Sequence, residues 1–189
     1  MNVILASASP RRQELLKLFG FPFTVRVADI DETMDPSLEP AREVGRVSRM
    51  KALAIPREED DLVIAADTIV VCRGKVLGKP HTEAEAEEML RLLSGRDHQV
   101  MTGCTLVRGE KIQTFTEITD LHFRPLTDRE ITRYVASGEP MDKAGAYGIQ
   151  GGAALFCQRM EGDYYNVMGL PLCRLGQALK ETAPEILEV

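Results

Sequence analysis

At 189 residues, with 44% apolar and 28% charged side chains, the chain is long enough to bury a real core and reads as a soluble, globular protein. A formal charge of -6 argues against general attraction to nucleic acid or to an anionic membrane, so any phosphate ligand must be caught by local cations. Cys72, Cys104, Cys157 and Cys173 are scattered, without the paired spacing of a metal knuckle, a redox dithiol or a disulfide scaffold, and are expected to be reduced thiols.

The chain opens Met1-Asn2-Val3-Ile4-Leu5-Ala6-Ser7-Ala8. It lacks a basic leader and its apolar run is too short for a secretory signal, and no later stretch approaches the roughly 20 apolar residues of a membrane span, so a cytoplasmic location is expected. Strands are predicted at residues 3–5, 23–27, 62–72, 99–107, 111–123 and 153–159, several of them rich in Val, Ile, Thr and Phe. Helices are predicted at residues 11–19, 41–55, 84–93, 128–136 and 172–181. Thr82 followed by Glu85 has the pattern of a capping box at the start of the third helix. Interleaved strands and helices imply an α/β fold, and Arg108-Gly109-Glu110 reads as a hairpin turn, which makes the sheet mixed. The acidic run Glu58-Glu59-Asp60-Asp61 is expected to be a solvated turn rather than a metal site, and the last few residues to be frayed.

Three segments carry chemistry on their own residues. In Ala6-Ser7-Ala8-Ser9-Pro10-Arg11-Arg12 a short strand enters a tight turn of hydroxyl residues, with Ser9 suited to the helix cap and Pro10 to the first helical position. Unpaired N–H groups at a helix start favour an anion, and Arg11 and Arg12 add bidentate donors; the plain alternative is a capped helix with two solvated arginines. Asp67 ends the apolar run Leu62-Val63-Ile64-Ala65-Ala66, where a carboxylate is costly unless paired, metal-bound or at an edge. Such a group suits a general base holding a water, and otherwise bonds nearby backbone N–H groups. Gly145-Ala146-Tyr147-Gly148-Ile149-Gln150-Gly151-Gly152 is too glycine-rich for a helix or central strand and lacks the Lys-Ser/Thr ending of a P-loop. Its small residues permit close approach to a ligand, and the Gln150 amide offers both a donor and an acceptor.

Taken together with Ala65-Ala66-Asp67-Thr68, Asp142-Lys143-Ala144-Gly145-Ala146-Tyr147-Gly148-Ile149-Gln150-Gly151 and Gly162-Asp163-Tyr164-Tyr165-Asn166-Val167-Met168-Gly169-Leu170-Pro171-Leu172, this chain resembles the Maf family of nucleoside triphosphate pyrophosphatases from about Val3 to about Leu179. The resemblance implies a single domain over residues 1–189, of α/β class, with a mixed twisted sheet flanked by helices and two lobes around a cleft. It implies that Asp67 is the proton acceptor and that Ser7, Arg11, Arg12, Lys51 and Lys79 gather a triphosphate. Glu32, in Asp29-Ile30-Asp31-Glu32, matches a family acid, and with Asp67 it would hold a divalent cation, Mg²⁺ or Mn²⁺; otherwise Asp29, Asp31 and Glu32 form an exposed acidic turn. Taken alone, Lys51 and Lys79 would be ordinary solvated lysines. In the pyrimidine-preferring branch Arg12, Thr68 and Gln150 match positions tied to base selection, which implies dTTP and UTP as substrates. The rivals are the branch that prefers 7-methylguanosine triphosphate and a non-catalytic regulator of septum formation. Asp142 stands where many relatives have Gly, and Asp163 and Asn166 are expected to order their loop. The expected partner is a nucleoside triphosphate, with no nucleic acid and no membrane, and a homodimer is the oligomer kept open.

Overall fold

The computed structural model describes residues 1–187. In chain order its elements are β1 (Val3–Leu5), α1 (Pro10–Lys17), β2 (Thr24–Val25), α2 (Pro40–Leu53), β3 (Leu62–Cys72), β4 (Lys75–Leu77), α3 (Glu83–Leu93), β5 (Asp97–Arg108), β6 (Lys111–Phe123), α4 (Asp128–Val135), β7 (Cys157–Glu161), α5 (Tyr164–Val167) and α6 (Leu172–Thr182). Short 3₁₀ turns occupy Glu139–Asp142, Ala144–Ala146, Gly152–Leu155 and Pro184–Leu187. The strand order is β2-β1-β3-β5-β6-β7, with β4 paired to β3. β1 runs parallel to both β2 and β3, whereas β3–β4 and β6–β7 are antiparallel, so the sheet is mixed and the α/β expectation holds. No helix among the described residues is long and apolar enough to cross a membrane.

The chain divides into two compact units. The first comprises Met1–Asp67, Thr102–Glu117 and the residues from Gly169 on; the second comprises Thr68–Met101 and Ile118–Met168. The long strands β3, β5 and β6 each contribute one part to either unit.

In the first unit, β1 and the opening of β3 are wholly buried, which explains their unbroken apolar sequence: a parallel strand covered on both faces has no polar alternation. Ile4, Ala6, Val63, Ala65 and Val107 pack with Ala52 and Ile55 from the end of α2. Helix α2 approaches the sheet unusually closely. A Cβ on Gly103 of β5 would lie 2.4 Å from the Val44 carbonyl oxygen, so backbone rests on backbone. Beside that contact the Ser48 hydroxyl donates to the Gly45 carbonyl at 2.8 Å and meets Thr105 Oγ1 at 2.8 Å, while Thr116 Oγ1 donates to the Ala41 carbonyl at 2.8 Å. Small and hydroxyl residues on both surfaces thus fix the height of α2 over the strands.

In the second unit, Arg73 and Gly74 both take positive φ, +51° and +74°, and close the tight β3–β4 hairpin in which Cys72 faces Lys75. Helix α4 starts in a full capping box between Thr127 and Glu130. His98, Phe123, Tyr147, Phe156 and Tyr134 form an edge-to-face aromatic cluster, and His98 Nε2 lies 2.9 Å from the Tyr147 hydroxyl. Buried Asn166 donates to the Val100 carbonyl and to Thr119 Oγ1, both at 3.0 Å, and the Asp163 carboxylate accepts from the Tyr165 N–H at 2.7 Å at the start of α5. Both residues order their loop as expected.

Several local expectations change. The strand expected at residues 153–159 begins only at Cys157, because Ala154 N–H and Phe156 N–H instead close turns onto the Gly151 and Ala153 carbonyls. The strand expected at 23–27 keeps two paired residues, Thr24 and Val25. Thr82 does cap α3, accepting from Glu85 N–H, but the Glu85 carboxylate accepts from His81 N–H rather than closing the box. Asp61 is not solvated: it is buried and accepts from Asn2 N, Asn2 Nδ2 and Glu58 N, tying the chain start to the mouth of β3. Pro184–Leu187 forms a turn with Ile186 buried, while the rest of the frayed end expected from sequence, residues 188–189, lies outside the described residues.

Candidate active site

Strand β1 delivers the chain into the turn before α1, and Ser7 is buried there. Its hydroxyl oxygen accepts from Ser9 N–H at 3.3 Å and from Arg12 Nη1 at 3.2 Å. Ser9 occupies the cap position and Pro10 the first turn, as expected, but the Ser9 side chain makes no cap bond; the bond from its own N–H to Ser7 shapes the turn instead. Arg12 Nε donates to the Gly169 carbonyl at 2.8 Å, joining the first turn of α1 to the chain just ahead of α6. Burial of the Arg12 guanidinium lowers its proton affinity below the ordinary value, opposed by the charges of Asp67 and Glu32. The Cys104 thiol, within electrostatic reach of Arg12, is pushed up to about 12 by burial and stays protonated. Arg11 is half-buried on the same turn.

Asp67 closes the buried run of β3 with 9% of its surface exposed. Its Oδ1 accepts from Lys51 Nζ at 2.7 Å, and the same ammonium reaches Glu32 Oε2 at 2.8 Å. Lys51, on the last turn of α2, is therefore not a solvated lysine: its side chain is 12% exposed and stands between two carboxylates. Glu32 lies on the irregular segment between β2 and α2, with a side chain 54% exposed. That segment is tied down by Glu43, a buried carboxylate on α2 that accepts from Asp35 N–H at 2.9 Å and from Arg46 Nε at 2.9 Å, while Arg46 Nη2 donates to the Thr33 carbonyl at 3.0 Å. The bond from Arg46, ahead of the cost of burial, holds the Glu43 carboxyl below the usual range.

Ser7, Arg12, Glu32, Lys51 and Asp67 thus lie in the first unit, linked by short contacts and by charge. Arg11 lies in the first unit too, and the remaining sequence-predicted residues, Thr68, Lys79 and Gln150, lie in the second. Thr68 follows Asp67 on β3 and is half-buried, Lys79 is exposed after β4, and Gln150 is exposed on the glycine-rich segment. Gly145 N–H donates to the Gly78 carbonyl at 3.0 Å, binding the Lys79 turn to that segment. Gly145 has φ +67°, and a Cβ there would meet Val70 Cγ2 at 2.8 Å, so glycine is required twice over. Ile149 is buried while its neighbour Gln150 faces out.

A family profile described as Maf-like protein matches residues 2–182. The chain belongs to the Maf family. Among its relatives, a Bacillus cereus (strain AH820) protein named dTTP/UTP pyrophosphatase is 49% identical over 181 residues, covering 95% of each chain. A Halalkalibacterium halodurans protein of the same name is 51% identical over 179 residues, covering 94% of each chain. Among solved structures, a HAM1 protein from Coxiella burnetii superposes with a TM-score of 0.49 at 18% identity, over 96% of this chain and 99% of that one.

Sequence reasoning on this Maf chain missed three supports. The Gly169 carbonyl that receives Arg12 sits inside a motif that stood out only as a string. The Glu43–Arg46 pair carried the signal of an acid and a base three apart on a helix, which ordinarily marks a solvated face. The third is Glu139, an acid in a stretch without periodicity that accepts from the Tyr134 hydroxyl and from Gly152 N–H.

Proposed function

We propose that the chain, acting as one catalytic domain, hydrolyses the α–β phosphoanhydride of dTTP and UTP, releasing the nucleoside monophosphate and pyrophosphate. The observation that carries this reading is the Asp67–Lys51–Glu32 triad at the close of the buried run of β3, beside Arg12 and Ser7, in a chain half identical to proteins named dTTP/UTP pyrophosphatase. Asp67 holds its Oδ1 on Lys51, which aims the carboxylate and leaves Oδ2 for a water. As the water oxygen bonds to the α-phosphorus, its proton passes to Asp67, and the bond from that phosphorus to the bridging oxygen breaks in line. Ser7, Arg11, Arg12, Lys51 and Lys79 offset charge on the phosphate oxygens, while Thr68 and Gln150 present a donor and an acceptor to the base edge shared by uracil and thymine. No covalent nucleophile enters.

Glu32 and Asp67 fit a divalent cation. They already converge on one cation, the Lys51 ammonium, and carboxylate oxygens are the hard donors that Mg²⁺ and Mn²⁺ prefer. Among the described residues no third carboxylate, His or Cys joins them, in keeping with an ion that completes its shell from phosphate oxygens and water. Such an ion, when bound, would stabilise charge on the phosphate being attacked.

The test is pyrophosphate release from UTP, dTTP, CTP, ATP, GTP and 7-methylguanosine triphosphate. UTP and dTTP are expected to exceed ATP and GTP by at least about tenfold in kcat/KM. A methylated purine ahead of both would move the protein to another branch of the family, and release from none would end the enzymatic reading.

A further inference from the structure

Within the second unit, the segment that carries Gln150 is wound around one carboxylate. Glu139 follows Gly138, whose φ of +75° turns the chain out of α4, and opens the first 3₁₀ turn. Its Oε1 accepts from the Tyr134 hydroxyl at 2.9 Å and its Oε2 from Gly152 N–H at 3.1 Å. The Tyr134 hydroxyl in turn accepts from Gly148 N–H at 3.0 Å. Both ends of the five-residue stretch 148–152 are thereby fixed to the same pair, and Gly151 N–H closes it onto the Gly148 carbonyl at 3.0 Å. The glycines are explained by the same contact. A Cβ on Gly151 would stand 2.0 Å from Glu139 Oε1, and one on Gly148 would stand 2.6 Å from Lys143 Cε. Lys143 belongs to the same construction, since its ammonium donates to the Glu139 carbonyl and to Asp142 Oδ1, both at 2.6 Å.

We infer that Glu139, relayed by Tyr134, is the positioning residue that holds the Gln150 segment in register and so sets base selectivity. The inference rests on the proposed reading of Gln150 as the base-reading amide. A lone amide on an exposed loop discriminates only if its location is fixed to a fraction of an ångström, because a misplaced donor serves the right and the wrong base alike. Bonds to an ionised carboxylate are about twice as strong as neutral ones, and here one carboxylate reaches Gly152 directly and Gly148 through the phenol. Ile149, buried between these two ends, holds the middle of the stretch as well.

The experiment compares wild type with Glu139→Gln, Tyr134→Phe and Gln150→Ala. It reads kcat and KM for UTP, dTTP, ATP and GTP, inhibition by inorganic tripolyphosphate as a probe of the phosphate subsite, and backbone hydrogen exchange across residues 148–152. Glu139→Gln keeps the shape but sets an amide N–H₂ or a single acceptor where two are needed. It is expected to lower the pyrimidine-over-purine ratio by about tenfold, chiefly through KM, to speed exchange at 148–152, and to leave tripolyphosphate inhibition unchanged. Tyr134→Phe should do the same to a smaller degree, and serves as the reading if Glu139→Gln fails to fold. The double variant Glu139→Gln with Gln150→Ala should lose no more selectivity than Gln150→Ala alone. A uniform fall in kcat for every nucleotide, or unchanged exchange at 148–152, would overturn the inference. Should Gln150→Ala lose selectivity while Glu139→Gln and Tyr134→Phe keep it, the inference alone fails; should Gln150→Ala keep it, the reading of Gln150 fails and takes the inference with it.

Discussion

Asp67 carries two loads at once, as the last residue of the buried run of β3 and as the anchor of the Lys51 ammonium 2.7 Å away. Asp67→Asn preserves the shape and removes the proton acceptor, so kcat is expected to fall by about 10²–10⁴-fold with KM changed only a few-fold. The fold should survive, because Lys51 keeps Glu32 as a partner, and circular dichroism with a thermal melt checks this alongside the kinetics. Near wild-type turnover would remove Asp67 from the reaction. Asp67 was legible in the sequence because a carboxylate ending five apolar residues demands a reason. Lys51 was legible only through family resemblance: a lysine on an amphipathic helix is ordinarily solvated, and the partner that changes its meaning is 16 residues away on another element. Glu32 could not be separated from an exposed acidic turn, and its half-exposed side chain shows why: only its contact with Lys51 distinguishes it from Asp29 and Asp31.

Helix α2 holds Lys51 at a height set by the contact between Gly103 and the Val44 carbonyl. Gly103→Ala should cost about 1–3 kcal/mol in urea unfolding, since backbone rather than a yielding side chain blocks the new methyl group. Activity is expected to drop more steeply than stability, because a tilt of α2 displaces the ammonium; full activity at native stability would show that α2 has slack. On β5, burial among Phe123 and Tyr147 pushes His98 down to about 4 from its ordinary 6.5, only partly offset by Arg96 and Asp97, with His122 adding to the fall. The unfolded chain therefore binds more protons than the folded one between these values, and stability present above pH 6.5 is lost as pH falls toward 4, by about 3 kcal/mol. His98→Gln should flatten that slope in urea melts taken at stepped pH; an unchanged slope would place its origin elsewhere. The long strands β3 and β6 were readable to the residue because apolar runs and β-branched residues mark them locally. The 3₁₀ turns of residues 139–155 were not, since their geometry answers to the Glu139 carboxylate rather than to any periodicity.

For the molecule as a whole, the mixed sheet was legible from interleaved helices and one hairpin signal, and the net charge of -6 focused attention on a few local cations. What composition concealed is that two of these cations are engaged by the protein itself: Arg12 by Ser7 and Gly169, and Lys51 by Asp67 and Glu32. Excess chelator is expected to abolish pyrophosphate release and added Mg²⁺ or Mn²⁺ to restore it; undiminished release after rigorous metal removal would refute the assignment of Glu32 and Asp67 as ligands.

On the proposed reading of Glu32 and Asp67 as metal ligands, the ammonium of Lys51 is a placeholder. With it seated between Glu32 and Asp67, the resting protein has no pair of facing anions in need of a guest, and entry of a metal becomes an exchange rather than the filling of a vacancy. An exchange needs somewhere for the displaced charge to go, and on that reading the phosphate tail of an incoming nucleotide would be the destination. Order of addition follows: divalent ion alone should leave the melting temperature within about a degree, whereas ion and nucleotide together should raise it by several degrees, in line with mass action on a ligand that binds only the folded state. A large shift with the ion alone would mean that Lys51 yields its place unassisted.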